Sequence, residues 1–415
     1  MKQSKKDISF FKAPPDAAHR REIEAYLTEK HPVLSRTVLG KSVLGEEISL
    51  FRIGEGKRST VYVGAHHGME WITALLLYRF LDDFSKSTER RGAHSSFVKQ
   101  HSLYVIPLLN PDGVEIMLHG AAAGGVLREQ LLLQNGSADF TAWQANANGV
   151  DLNHNYDAGF AAYKALEKEM GIHGGGPTRY SGAYPLSEPE SAALMGFLRK
   201  VKPTLVLTLH TQGEEIYYRK TEPPVVGAAE IGSALSCITG YRLATPEGAA
   251  AYGGLADALA EGERVPAYTL ECGLGKNPLP LRDAQPIYLR LRRALYLSLG
   301  FLTAENGEGH LPLPPDQHLK RGEKCMSHVS GDSIREKEVI NSCDGRRLGY
   351  VCDIEFDVCD GRITAIVVPT KGGFLGCGGE NIVIPWEKIC KIGEDIILVD
   401  AEGCCPPPKP PRKRG

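Results

Sequence analysis

An α/β domain followed by a small all-β module is the fold class that this chain predicts, and three features carry it. Over roughly the first 300 residues, short β-branched runs alternate with longer helical patterns. The strand candidates are almost continuously apolar, as strands covered on both faces are. Beyond residue 305 the alternation gives way to a proline- and glycine-rich stretch, after which strand signals recur at close spacing.

The strand candidates of the first part are TVYVGA (60–65), LYVIPLL (103–109), TLVLTLH (204–210) and AYTLEC (267–272). Helical patterns lie between them at Ile72–Phe84, Glu188–Lys200 and Leu255–Glu261. The segment ENGEGHLPLPPDQHLKRGEKC reads as a linker. Short strands follow in RRLGYVCDIEFDV, RITAIVVP, NIVIPWEKI and IILVD, with a CDG turn and a glycine-rich loop among them. Such a module is large enough for a compact barrel and little more. The tail CCPPPKPPRKRG is proline-rich and basic and cannot build a core. The expected division is 1–305, a linker at 306–325, a β module at 326–400 and a disordered tail at 401–415. Met326 opens the module directly after the linker, as in a fusion of two reading frames.

Composition narrows the functional class. Among 415 residues, 42% hydrophobic and 24% charged content is ordinary for a globular chain, and a net charge of -2 points to neither nucleic acid nor an anionic membrane. The basic N-terminus lacks an apolar core for a secretory signal, and no run reaches membrane-spanning length, so a cytoplasmic location is expected. Eight of the 10 cysteines fall from Cys325 onward, with no C-x-x-C spacing. Free thiols in a reducing compartment are therefore expected, rather than disulfides or a thiolate zinc site.

Four signals with chemical content fall just beyond the C-terminal ends of strand candidates, the edge where open α/β sheets bind ligands. In GAHHGMEWI, His67 and Glu70 are spaced as H-x-x-E, which on a helical turn puts imidazole and carboxylate on one face. His66 has the wrong spacing and points to the other side of an extended strand end, so it reads as a packing or hydrogen-bonding neighbour. His210 ends the apolar run of LTLHTQGEE. Alone it is a rim histidine; with His67 and Glu70 it completes a two-imidazole, one-carboxylate set for one zinc ion, with a fourth position left open. Glu271 closes the strand of AYTLECGLGKNPLP. In isolation it reads as a salt-bridged structural carboxylate, whereas next to an activated water it is a general base. The fourth signal is NPDG (110–113), read as a tight turn, followed by WQANANGVDLNHNYDAGF (143–160). There Asp151 is a partner for the second ring nitrogen of His67, and Asn153 and His154 are placed to meet substrate.

The order H-G-x-E, NPDG, GVDLN-x-N, S-E-P-E, strand-His and strand-Glu resembles the zinc carboxypeptidases of the carboxypeptidase A type, over about residues 20–303. GPTRYSGAYPLSEPE, LHTQGEEIYY and LECGLGKNPLPL are similar to the bacterial branch of γ-D-glutamyl-meso-diaminopimelate peptidases. The resemblance implies an α/β/α sandwich with a mixed eight-stranded sheet, His67, Glu70 and His210 as zinc ligands, and Glu271 as base. It further implies a peptide or muropeptide substrate. Residues 326–400 resemble the PRC-barrel family in its YlmC/YmxH sporulation type, which implies a binding role toward a partner of unknown identity.

Two departures bear on the substrate. Digestive members carry arginine where this chain has His154, and that arginine clamps a terminal carboxylate in a fork that histidine cannot copy. A second arginine, which polarises the scissile carbonyl, is matched before GVD by Asn148. Either Arg179 supplies the lost cation from another loop or the substrate carboxylate is met in a different geometry, and Asp257, in a stretch like the family's specificity pocket, could meet a cationic group or simply be a solvated helix residue. Cleavage at the γ-D-glutamyl–diaminopimelate bond is the leading expectation. The alternatives are a metallocarboxypeptidase of other specificity or an N-acyl amino acid amidohydrolase, which shares the H-x-x-E…H…E scheme, and a catalytically degenerate binding protein acting through its barrel.

Overall fold

The computed structural model describes residues 8–90, 98–300, 334, 337–342, 346–356, 363–369, 381–392 and 396–400. The chain divides into two compact units, residues 1–311 and 312–415. The expected linker, Met326 and the tail lie outside the described residues, as do Cys325, Cys343, Cys359, Cys377, Cys404 and Cys405. Cys272 and Cys352 are free thiols.

The first unit is built on an eight-stranded mixed sheet. Its strands are β1 (Leu34–Lys41), β2 (Glu47–Ile53), β3 (Arg58–Gly64), β4 (His101–Ile106), β5 (Leu205–His210), β6 (Glu215–Tyr217), β7 (Arg242–Ala244) and β8 (Ala267–Glu271), in the order β1-β2-β4-β3-β5-β8-β6-β7. The centre, β4-β3-β5-β8, is parallel, and both flanks contain antiparallel pairs. The four central strands are the long apolar runs visible in the sequence. Of the flanks, β6 and β7 span three residues each and β1 is mostly exposed or half-buried, which leaves little pattern to read.

Alternation along the central strands feeds two cores. Tyr62, Leu205, Leu207 and Leu209 pack with helices Ile72–Arg90, Ala228–Thr239 and Ala284–Gly300 on one face. Val61, Val63, Val206 and Ala267 pack on the other with helix Pro189–Val201 and the segment 255–263. This is an α/β/α sandwich, and burial on both faces is why these strands lack polar alternation. Two boundaries differ from expectation. The helix at Ile72 runs on to Arg90, and the one at Leu255 is α-helical only to Ala258 before a π-type turn over Leu259–Glu263. NPDG is a helix start rather than a free turn: Asn110 accepts from Gly113 N at 2.9 Å and Pro111 occupies the first turn of Pro111–His119. No helix among the described residues is long and apolar enough to cross a membrane.

In the second unit, β9 (Glu338–Asn341), β10 (Arg347–Tyr350), β14 (Ile389–Ile392) and β15 (Ile396–Val399) form one sheet, and β11 (Asp353–Phe356), β12 (Ile363–Pro369) and β13 (Asn381–Pro385) another. RRLGYVCDIEFDV is therefore two strands in different sheets, broken at Val351–Cys352, and NIVIPWEKI is likewise split by a turn at Trp386–Lys388. Val339, Ile366, Val368, Ile384 and Ile397 form their common core.

Under the first unit, buried His31 lies between two carboxylates, with Nε2 2.9 Å from Asp82 and Nδ1 3.1 Å from Glu89. Burial alone would lower this imidazole, but Asp82 and Glu89 outweigh it and raise its pKa. The charged form is thus favoured by folding, so its stabilisation is complete below the ordinary imidazole value and is lost as pH rises through the folded one. Comparing urea unfolding of His31→Gln with wild type from pH 5 to 9 should show a gap of about 2 kcal/mol at acid pH that narrows on going alkaline.

Candidate metal centre and active-site cleft

The four central strands end side by side. Gly64 of β3 pairs with Leu209 and His210 of β5 pairs with Glu271 of β8, so the residues leaving these strands share one edge. The chain leaves β3 through Ala65, whose φ of 46° turns it sharply, and His67 precedes a single helical turn, Gly68–Glu70. Gly68 is required there: a Cβ would lie 2.3 Å from the carbonyl oxygen of Gly113. The same turn is pinned by Gly68 N to Gln144 O at 2.9 Å and Met69 N to Trp143 O at 3.0 Å. The motif at 67–70 and the loop after residue 143 are therefore assembled together.

Glu70 lies between two imidazoles. Its Oε1 is 2.9 Å from His67 Nδ1 and its Oε2 3.0 Å from His210 Nδ1, and all three residues are buried. Ligand atoms of the three lie within 4.8 Å of one another, a cluster able to hold a metal ion. The other nitrogen of His67, Nε2, is 3.1 Å from Asp151 Oδ1. If that nitrogen carries the proton, Nδ1 presents a lone pair to a carboxylate oxygen, a contact that needs a cation between them. The donor set therefore fits zinc. Without an ion, the same carboxylates favour a proton on His67 in its place. Burial opposes the charges, yet Glu70 is held down at about 2 by His67 and His210, and Asp151 is far below its usual range through His67 and His154. His67 is held well above the usual imidazole value by Glu70 and Asp151 against the cost of burial. His66 is turned aside, stacked on His210 at 5.0 Å with Nε2 3.2 Å from the Tyr156 hydroxyl.

A cleft of about 260 Å³ opens beside this cluster, lined by His67, His210 and Glu271 and, among others, by Asn153, His154, Arg179 and Asp257. Burial and the neighbouring Glu70 carboxylate push Glu271 well above the usual carboxylate range. The Asn153 side chain accepts from Leu255 N at 3.2 Å, tying its loop to the short helix that bears Asp257. The His154 ring stacks on Tyr163 at 4.0 Å and its Nδ1 meets Tyr252 O at 2.8 Å, which leaves Nε2 as its remaining polar atom. Arg179, at φ 66°, donates its backbone N–H to Asp151 Oδ2 at 3.1 Å, and its exposed guanidinium has no partner among the described residues.

The placement of Asn148 corrects the sequence comparison. Its side chain donates to Glu188 at 2.8 Å instead of lining the cleft. In the stretch before GVD it is Gln144 that reaches the cleft, held to Thr178 by a hydrogen bond. Asn146 organises the stretch between: its amide donates to Glu188 and Glu190, and its oxygen accepts from Asn148 N and Val150 N at 3.1 Å each. Asp257 is buried in the cleft wall rather than solvated, and burial, opposed by Arg219 and helped by Glu261, pushes it up to about 7. Tyr217, Tyr218 and Thr269 also line the cleft. Nothing in their sequence neighbourhood marks them, although IYY stands within the motif that follows His210.

Gly253, at φ 76°, lets this wall close on His154: an added Cβ would sit 2.5 Å from the His154 carbonyl oxygen. Gly253→Ala should lower stability by at least about 1 kcal/mol in thermal unfolding.

The zinc carboxypeptidase family model matches residues 22–224, and the PRC-barrel domain model matches residues 326–403. Over 270 residues the chain is 33% identical to γ-D-glutamyl-L-diamino acid endopeptidase 1 of Lysinibacillus sphaericus, covering 63% of this chain and 66% of that protein. It is 32% identical over 296 residues to YqgT of Bacillus subtilis, covering 69% and 77%. The second unit is 44% identical over 73 residues to the probable sporulation protein YlmC of Bacillus subtilis, 17% of this chain and 90% of that one. The carboxypeptidase A structure from Helicoverpa armigera superposes with a TM-score of 0.56 at 18% identity, covering 72% of this chain and 76% of that one, a likeness of fold. On these matches the chain belongs to the zinc carboxypeptidase family of metallopeptidases and carries a PRC-barrel domain behind its peptidase domain.

Proposed function

We propose that this peptidase hydrolyses stem peptides of the bacterial cell wall, at the bond between a γ-linked D-glutamyl residue and a diamino acid such as meso-diaminopimelate. The observation that carries the reading is the charge layout of the cleft, which offers the free guanidinium of Arg179 and the buried carboxylate of Asp257 beside one reaction centre. A γ-linked glutamyl residue keeps its α-carboxylate free, a partner for arginine. A diamino acid brings an ammonium, a partner for Asp257. The 33% identity to an endopeptidase acting on γ-D-glutamyl-L-diamino acid bonds supports the same substrate class. His154 lines the cleft where a digestive carboxypeptidase would offer arginine, and Asn148, at the second such position, is turned to Glu188, which argues against simple removal of C-terminal residues.

In this reading His67, Glu70 and His210 hold one zinc ion, with Asp151 keeping His67 in the tautomer that turns Nδ1 toward the metal. Zinc, when bound, supplies a Lewis acid that polarises the scissile carbonyl and lets water attack at neutral pH. Glu271 takes the proton from the attacking water on a carboxylate oxygen and delivers it to the leaving amine. Arg179 and Asp257 orient the two ends of the substrate, and His154 offers Nε2 to a polar group of it. The PRC-barrel unit is proposed to bind a partner.

Defined tripeptide and tetrapeptide muropeptides, incubated with the zinc-loaded chain and analysed by mass, should release diaminopimelate-containing fragments. Release of ordinary C-terminal residues alone would overturn the assignment. Glu271→Gln should keep its zinc and lose about 10²–10⁴-fold in kcat. Asp257 attracts an ammonium only when ionised, so preference for a diamino substrate over its neutral analogue should rise as pH passes 7. In Asp257→Asn the preference should be flat with pH, as read from the ratio of kcat/KM values.

A further inference from the structure

The strand carrying His210 ends in an unusual way. The next residue, Thr211, turns its backbone N–H toward Glu70 Oε2 at 3.3 Å, while neighbouring backbone groups continue the pairing with the β8 exit through Cys272 N to His210 O at 2.7 Å and Gly213 N to Gly273 O at 2.8 Å. Thr211 is itself buried, so its carbonyl and hydroxyl need partners of their own. Both are supplied by one side chain from the loop that follows Glu271. Asn277 Nδ2 donates to Thr211 O at 2.8 Å, and Asn277 Oδ1 accepts from Thr211 Oγ1 at 2.7 Å. An amide carries both a donor and an acceptor, so this one side chain meets the carbonyl and the hydroxyl of the same residue.

We propose that Asn277 is a positioning residue for the metal centre: its amide clamps Thr211 so that the Thr211 N–H holds Glu70 between His67 and His210. The inference rests on the reading of these three residues as zinc ligands. It adds that the K-N-P-L segment, more than sixty residues after His210, tunes how tightly they hold the ion. The clamp also couples the two strand ends, since the loop that supplies it starts directly from the residue assigned as base.

An aspartate at 277 would keep an acceptor for the Thr211 hydroxyl but set a charge against the Thr211 carbonyl. Alanine would leave both groups without a partner. Thr211→Val removes only the hydroxyl–amide bond at nearly constant volume, and Thr211→Ser keeps it.

The test measures zinc dissociation constants on the full chain by competition with a chromogenic chelator, together with melting of the metal-free and zinc-loaded forms. Asn277→Ala should weaken zinc binding about 10-fold and lower the melting temperature of the zinc-loaded form more than that of the metal-free form. Thr211→Val should weaken binding about 2- to 10-fold, and Thr211→Ser should restore wild-type affinity. The valine variant keeps the proposal testable should the alanine variant fail to fold. Zinc binding by both variants as tight as wild type, or equal melting losses with and without metal, would overturn the clamp alone. A wild-type chain that takes up no zinc would overturn the ligand assignment and the clamp with it.

Discussion

The contact on which the site depends is a single buried carboxylate shared by two imidazoles. Glu70 presents one oxygen to His67 and the other to His210, at 2.9 and 3.0 Å, and all three residues are buried. Burying such a group is costly unless its charge is compensated. The compensation comes from two strand ends: His67 leaves β3 and His210 ends β5, while Asp151, from the loop that the 67–70 turn itself anchors, holds the far nitrogen of His67. The parallel centre of the sheet is what aligns these ends, because parallel strands put all their C-terminal exits on one edge.

The loop from Trp143 to Asn155 is the second structural constraint. It contributes Gln144, Asp151, Asn153 and His154 to the cleft, yet has almost no regular structure beyond one short turn. Polar side chains hold it instead. Asn146 caps its backbone and is anchored by Glu188 and Glu190, and Asn155 donates to Ser181 O at 2.7 Å and Ser187 Oγ at 3.0 Å. Glu190 is pushed up to about 7 by burial, in keeping with a carboxyl shielded from water beside a second carboxylate. The S-E-P-E segment is thus support for the loop, and it carries Asn148 away from the reaction centre.

How much was legible follows from the range of each interaction. H-x-x-E is a local pattern, and strand-terminal His210 and Glu271 stand out because a polar group closing an apolar run has few places to go. The central strands were readable for the same reason. The flanking strands β6 and β7 span three residues each, too few for a period to register. In the second unit, two continuous apolar runs proved to be four strands in two sheets, since a run's hydrophobicity does not record which sheet it serves.

By itself the sequence pointed to the fold class, to the cluster of His67, Glu70 and His210 and to the family order of motifs, all of which depend on residue type and on spacing along one strand or turn. Tertiary structure decided which side chains line the cleft. Gln144 reaches the cleft and Asn148 does not, because a partner forty residues away claims the latter. Asp257 is buried in the cleft wall through its short helix's tie to Asn153, about one hundred residues earlier. Such assignments rest on contacts between distant segments, whose desolvation and hydrogen bonding exist only once the sheet has brought them together.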